Sequence, residues 1–82
     1  MSITTRRYQN YEYDIELTPL EPSPYDPSTG EAKVSRIEQL REDGERDRVD
    51  ERIFRIVTGR DQDEATTKIE TLVRQWIGIE SV

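Results

Sequence analysis

The chain predicts an α+β fold: a small three-stranded antiparallel sheet packed against one C-terminal helix, in the order β-β-β-α. Three observations predict it. Tyr11, Tyr13, Ile15 and Leu17 alternate with Glu12, Asp14 and Glu16, the period-two pattern of a strand with one dry face and one wet face. Asp43-Gly44, a preferred dipeptide of two-residue hairpins, separates two stretches able to pair. Residues 61–78 hold the start, the apolar stripe and the stop of a single amphipathic helix.

Residues 1–10 are polar and lack periodicity, so they are expected to form a flexible N-terminal arm. Residues 11–82 are expected to form one small domain. The wet face of the 11–17 strand implies an antiparallel sheet, and its three acids are either plain solvated surface or a contact for a cation or a basic partner. Pro19, Pro22, Pro24 and Pro27 are all the prolines in the chain. With Ser23, Asp26, Ser28, Thr29 and Gly30 they predict a stiff, extended loop over 19–30, because proline has no N–H to give a central strand. Pro19-Leu-Glu-Pro22 has polyproline-ligand spacing but no flanking basic residue, so it reads as part of that loop. Tyr25 is expected to pack back on the domain.

Residues 31–42 admit two readings. Val34, Ile37 and Leu40 recur every three residues among good helix formers, with Ser28 to Glu31 as a capping box and Gly44 as a stop; this gives β-α-β-α. The Asp43-Gly44 hairpin instead pairs a strand here with residues 49–57. A helix would leave two strands joined by a crossover, a poor parallel sheet, so the strand is preferred. Residues 41–52 alternate in charge, as the solvated tip of such a hairpin does. Ile53, Phe54, Ile56 and Val57 put apolar side chains on both faces, which predicts a central strand covered on both sides. Asp61 is the helix N-cap with Glu64 three residues on, and Ala65, Ile69, Leu72, Val73 and Trp76 form the stripe. Gly78 is expected to end the helix in a left-handed conformation, with Ile79 making the accompanying contact.

Composition limits the function. Of 82 residues, 32% are hydrophobic and 37% charged, so the core is thin. With no Cys and no His, the usual nucleophile, general base and soft metal ligands are missing. No phosphate loop, dinucleotide fingerprint or nucleophile elbow is present. Asp61, Asp63 and Glu64 lack calcium-loop spacing, and helix capping accounts for them. The chain is therefore not expected to be an enzyme or to use a cofactor or metal. No apolar run approaches ~20 residues and no signal peptide is evident, so a cytoplasmic protein without membrane contact is expected. The net charge of −6 argues against nucleic acid as the main partner.

The expected function is a small non-catalytic interaction module (an accessory, adaptor or inhibitor protein) that docks to a protein partner or to itself as a homodimer. Its candidate contacts are Arg6, Arg7 and Tyr8 on the arm, Tyr11 and Tyr13 on the strand expected at a sheet edge, and Trp76, Ile77 and Ile79 at the helix end. The alternative is a nucleic-acid-binding or nucleic-acid-mimicking protein using Arg6, Arg7 and Tyr8 with Arg46, Arg48 and Arg52. Glu45, Asp47, Asp50 and Glu51 are interleaved with those arginines and oppose it.

Overall fold

The computed structural model of the chain describes residues 2–80. The elements are β1 (Ser2–Tyr8), β2 (Tyr11–Pro19), β3 (Gly30–Leu40), β4 (Arg46–Val49), a 3-10 turn (Glu51–Ile53), β5 (Val57–Gly59) and α1 (Gln62–Glu80). The strands form one antiparallel sheet in the order β1-β2-β3-β4, with β5 on the same side of β3 as β4. The class is α+β with one C-terminal helix, as the sequence predicts, and the β-α-β-α alternative is excluded because residues 30–40 are strand. The sheet has five strands rather than three.

Two differences account for the count. From Ser2 to Tyr8 the segment expected as a mobile arm is strand β1, paired along its whole length with β2. Gln9-Asn10 is the two-residue connection, with Gln9 at φ 54°, and it folds β1 back on β2 so that Tyr8 faces Tyr11. The expected third strand, residues 49–57, is strand only at its two ends: β4 reaches back into the expected hairpin tip and ends at Val49, and β5 begins at Val57. β4 pairs with Ile37 to Leu40, β5 pairs with Gly30 to Ala32, and the chain crosses between them through the 3-10 turn. Asp50 caps that turn by accepting from Arg52 N–H at 3.0 Å. Beyond the turn the chain is extended from Phe54; Phe54 and Val57 are buried, while Ile53 and Ile56 are left exposed at 51% and 56%. A central strand covered on both faces therefore does not form there.

The β3–β4 hairpin is also one residue longer than expected. Gly44 N–H donates to Arg41 C=O at 3.1 Å, and Arg41 N–H donates to Glu45 C=O at 2.8 Å. Gly44 takes the left-handed conformation, φ 89°, that this three-residue loop requires.

β3 contains a bulge. Asp14 is opposite Arg36 but Ile15 is opposite Val34, so Ser35 has no partner. The extra residue returns Val34 and Ile37, three apart, to one face. That face joins Tyr11, Tyr13 and Ile15 of β2 and Ala32 of β3 in the core. From the helix come Ala65, Ile69, Val73 and Ile77, at i, i+4, i+8 and i+12. Burying each of these isoleucines contributes roughly 1.5–3 kcal/mol. No buried side-chain nitrogen or oxygen among the described residues lacks a partner.

Asp61 caps α1, accepting from Glu64 N–H at 2.8 Å, while the Glu64 carboxylate accepts from Arg60 N–H at 3.3 Å. The reciprocal bond thus reaches one residue further back than in the usual capping box. Gly78 does not end the helix, which runs to Glu80. Gly30 and Gly59, opposite one another on β3 and β5, lie beneath the first turn of the helix, and their missing side chains let its backbone sit close to the sheet. Tyr25 is 98% exposed at the loop tip and does not pack back.

Candidate functional site

The candidate contacts fall in three places. Tyr11, Tyr13 and Ile77 are core residues, at 5%, 1% and 0% exposure. Burial raises the pKa of the Tyr13 hydroxyl, with the Glu70 charge adding to the effect. β2 lies between β1 and β3, so it is not the edge at which Tyr11 and Tyr13 were expected. Arg6, Arg7 and Tyr8 belong to the true edge strand, β1. Trp76 and Ile79 lie on the outer side of the helix stripe.

The open face of the sheet gathers the charges. Glu12 accepts from Arg36 and Arg46 at 2.9 Å each and from Arg7 at 3.1 Å. Asp14 accepts from Arg36 at 2.9 and 3.1 Å and from the Thr5 hydroxyl at 2.7 Å. Glu38 accepts from Arg36 and, at 3.2 Å, from Arg46. The three guanidinium groups, Arg36 foremost, hold the Glu12 pKa down to about 2. Arg36 likewise lowers that of Asp14, and its own is raised by Asp14 and Glu12. The row of acids is therefore occupied by the chain's own arginines. Glu16, at the far end, has only Lys33, at 3.9 Å, among the described residues. Among the described residues no cluster of three or more His, Cys, Asp or Glu is placed to hold a metal ion.

A second surface was not anticipated from the sequence. Two shallow depressions adjoin where the 3-10 turn and β5 meet the flank of α1. One is lined by Ile53, Phe54, Arg55, Leu72 and Trp76, the other by Arg55, Ile56, Val57, Lys68 and Leu72 among others. Trp76 is held edge-on by Tyr11 and Phe54, with ring centroids 5.5 and 5.6 Å away and planes at 81° and 79°. Leu72, Trp76 and Ile79 follow one line of the helix at i, i+4 and i+7, and Ile79 is 73% exposed. Among the described residues the Arg55 guanidinium forms neither an ion pair nor a hydrogen bond, whereas most of the other arginines are tied to an acid. The signal for this surface was present in the sequence: residues 53–57 are apolar on both faces, and one helix covers only one.

The arginines of the nucleic-acid alternative are each tied to an acid, Arg48 to Glu51 at 3.9 Å. Arg7 and Arg46 are bound to Glu12, Arg6 to Glu70 at 3.1 Å, and Arg52 to Asp50 at 3.0 Å. Arg74 lies over the Tyr8 ring, 5.2 Å from its centroid. No helix among the described residues is long and apolar enough to cross a membrane. No protein-family model, curated protein or solved structure matches the chain.

Proposed function

We propose that the chain is a non-catalytic protein-interaction module whose docking surface is the apolar patch of Ile53, Ile56, Leu72 and Trp76 around Arg55. The observation that carries the reading is the pairing of two isoleucines more than half exposed with an arginine that, among the described residues, has no acid of its own. Eight of the other nine arginines pair with an acid among the described residues, and Ile53 and Ile56 lie side by side with half-buried Leu72 and Trp76, whereas exposed Ile3 and Tyr25 stand apart from this patch. An aromatic anchor, branched aliphatics and an arginine make up the composition of a binding hot spot. The partner that fits is a protein segment with apolar side chains for the depressions and a carboxylate for Arg55.

The test compares capture from extract of the native host by the immobilised chain, by Ile56→Glu and by Tyr25→Ser, a control at an equally open position, with mass spectrometry of what is retained. Ile56 is exposed, so its substitution leaves the fold stable to within ~0.5 kcal/mol, checked by circular dichroism. A partner retained by the wild type and by Tyr25→Ser, and weakened about tenfold or more by Ile56→Glu, is expected. Equal retention by all three, or by none, refutes the reading.

A further inference from the structure

The sheet has two edges of very different kinds. The far edge of β3 is shared by β4, four residues long, and β5, three residues long, with the 3-10 turn breaking the line between them. Such short, interrupted edges offer little to pair with. The other edge, β1, is seven residues of unbroken strand, Ser-Ile-Thr-Thr-Arg-Arg-Tyr, with no proline and no register shift. Its charges do not project over the edge. Arg6 is drawn to Glu70 on the helix side and Arg7 to Glu12 on the open side. The devices that usually protect a free strand are absent or turned away.

The hydrogen-bond phase identifies the free groups. Leu40 N–H donates to Asn10 C=O at 2.6 Å, so the Asn10 carbonyl faces β3 and the polar groups of Tyr11 face β1. Alternation along β2 makes Tyr8, Arg6, Thr4 and Ser2 the residues bonded to β2. Ile3, Thr5 and Arg7 therefore turn their N–H and C=O groups outward.

We infer that two copies of the chain pair β1 against β1, antiparallel, about a two-fold axis at Thr5. Only outward-facing residues can exchange hydrogen bonds, and the register that uses all of them sets Ile3 opposite Arg7 of the second copy and Thr5 opposite Thr5. It forms about six hydrogen bonds. It places no like charges opposite one another, whereas sliding the strands toward their C-terminal ends sets Arg6 against Arg6 or Arg7 against Arg7. It also separates the two Arg7 positions by about 14 Å along the strand, beyond the Debye length at physiological salt. Each Arg7, bonded to Glu12 of its own chain, comes to lie beside Ile3 of the other copy, which is 61% exposed in the single chain. That one register uses every outward-facing group of β1 and keeps like charges apart favours a second copy over an arbitrary extended peptide. The contact does not involve the patch around Arg55, so the two surfaces fail or succeed separately.

Sedimentation velocity across a concentration series tests it, using the wild type, Thr5→Pro and Thr5→Lys. Proline at Thr5 removes an N–H that β2 does not use and the exposed hydroxyl's bond to Asp14, and circular dichroism checks that the monomer keeps its fold. Lysine keeps a neighbour for Asp14 but sets two ammonium groups face to face. A concentration-dependent dimer is expected for the wild type, with association weakened about tenfold or more in both variants and undiminished in Ile56→Glu. Because the chain has no Cys, Thr5→Cys supplies the geometric readout: under mild oxidation it should crosslink to itself, at the Cα spacing of a bonded antiparallel pair, about 5.5 Å. A wild type that stays monomeric at all concentrations, a dimer untouched by Thr5→Pro and Thr5→Lys, or a Thr5→Cys protein that dimerises without crosslinking overturns the inference.

Discussion

Gly59→Ala should destabilise the protein through space alone. The Gly59 backbone does not adopt a positive φ, so alanine there meets no torsional penalty. Its Cβ would instead lie 2.6 Å from Ala65 N, 2.9 Å from Glu64 Cβ and 3.0 Å from Glu64 C, where ordinary contact begins at 3.4 Å. The closest obstacle is helix backbone, which cannot rotate aside, so the first turn of α1 must rise by about 0.8 Å, the difference between 3.4 and 2.6 Å. A lift of that size forfeits a quarter to a half of each dispersion contact beneath the turn, including those of fully buried Ala65. Overpacking of this kind costs about 1–3 kcal/mol. For ~2 kcal/mol the Tm of a domain this size falls by about 8–16 °C. Gly78→Ala is the internal control. It lies within the helix with nothing inside 4 Å of the new Cβ, and should stabilise by ~1 kcal/mol. Thermal unfolding followed by circular dichroism measures both. A Gly59→Ala protein as stable as the wild type would refute the seating of the helix on β5, and a destabilised Gly78→Ala would refute the continuation of α1 to Glu80.

Two further outcomes are expected. The Glu12 carboxylate has a folded-state pKa of about 2, below its unfolded value of roughly 4.3, so its contribution is complete above pH ~4.3 and is lost as pH falls toward 2. The urea midpoints of wild type and Glu12→Gln should therefore differ at pH 7 and converge between pH 4.3 and 2; a gap that is constant with pH contradicts the ion-pair assignment. Asp61→Ala leaves Glu64 N–H without its 2.8 Å acceptor and should cost about 1 kcal/mol in denaturant unfolding, with Asp61→Asn restoring most of it. No loss in Asp61→Ala would show that the cap is dispensable.

What could be read from the residues follows from how strongly burial constrained them. β2 alternates without fault because one face is core, and α1 shows its stripe for the same reason. β1 escaped because it lies beyond the helix and needs no apolar face. Thr4 and Tyr8 are only half-buried there and Arg6 is exposed, so no hydrophobic period marks the strand. In β3 the spacing of Val34 and Ile37 looked helical because one unpaired residue, Ser35, shifts a two-residue period to three. Gly78 resembled a stop because glycine is common after helices, yet Ile77 packs fully into the core and holds that turn helical. The site was legible only in part. Trp76 and Ile79 belong to the apolar surface, but Tyr11, Tyr13 and Ile77 are needed by the core, and Ile53 and Ile56 were assigned to a strand the chain does not make.

The order of the elements along the chain has a consequence for biosynthesis. β1 to β4 are sheet neighbours in the same order as they leave the ribosome, so a four-stranded meander can close from local contacts alone. Its inner face, with Tyr11, Tyr13, Ile15, Val34 and Ile37, stays wet until α1 has also been translated. During that interval the nascent sheet exposes both an apolar face and a free strand. Chains arrested before the helix emerges should therefore be chaperone clients, and chains long enough to dock α1 should not.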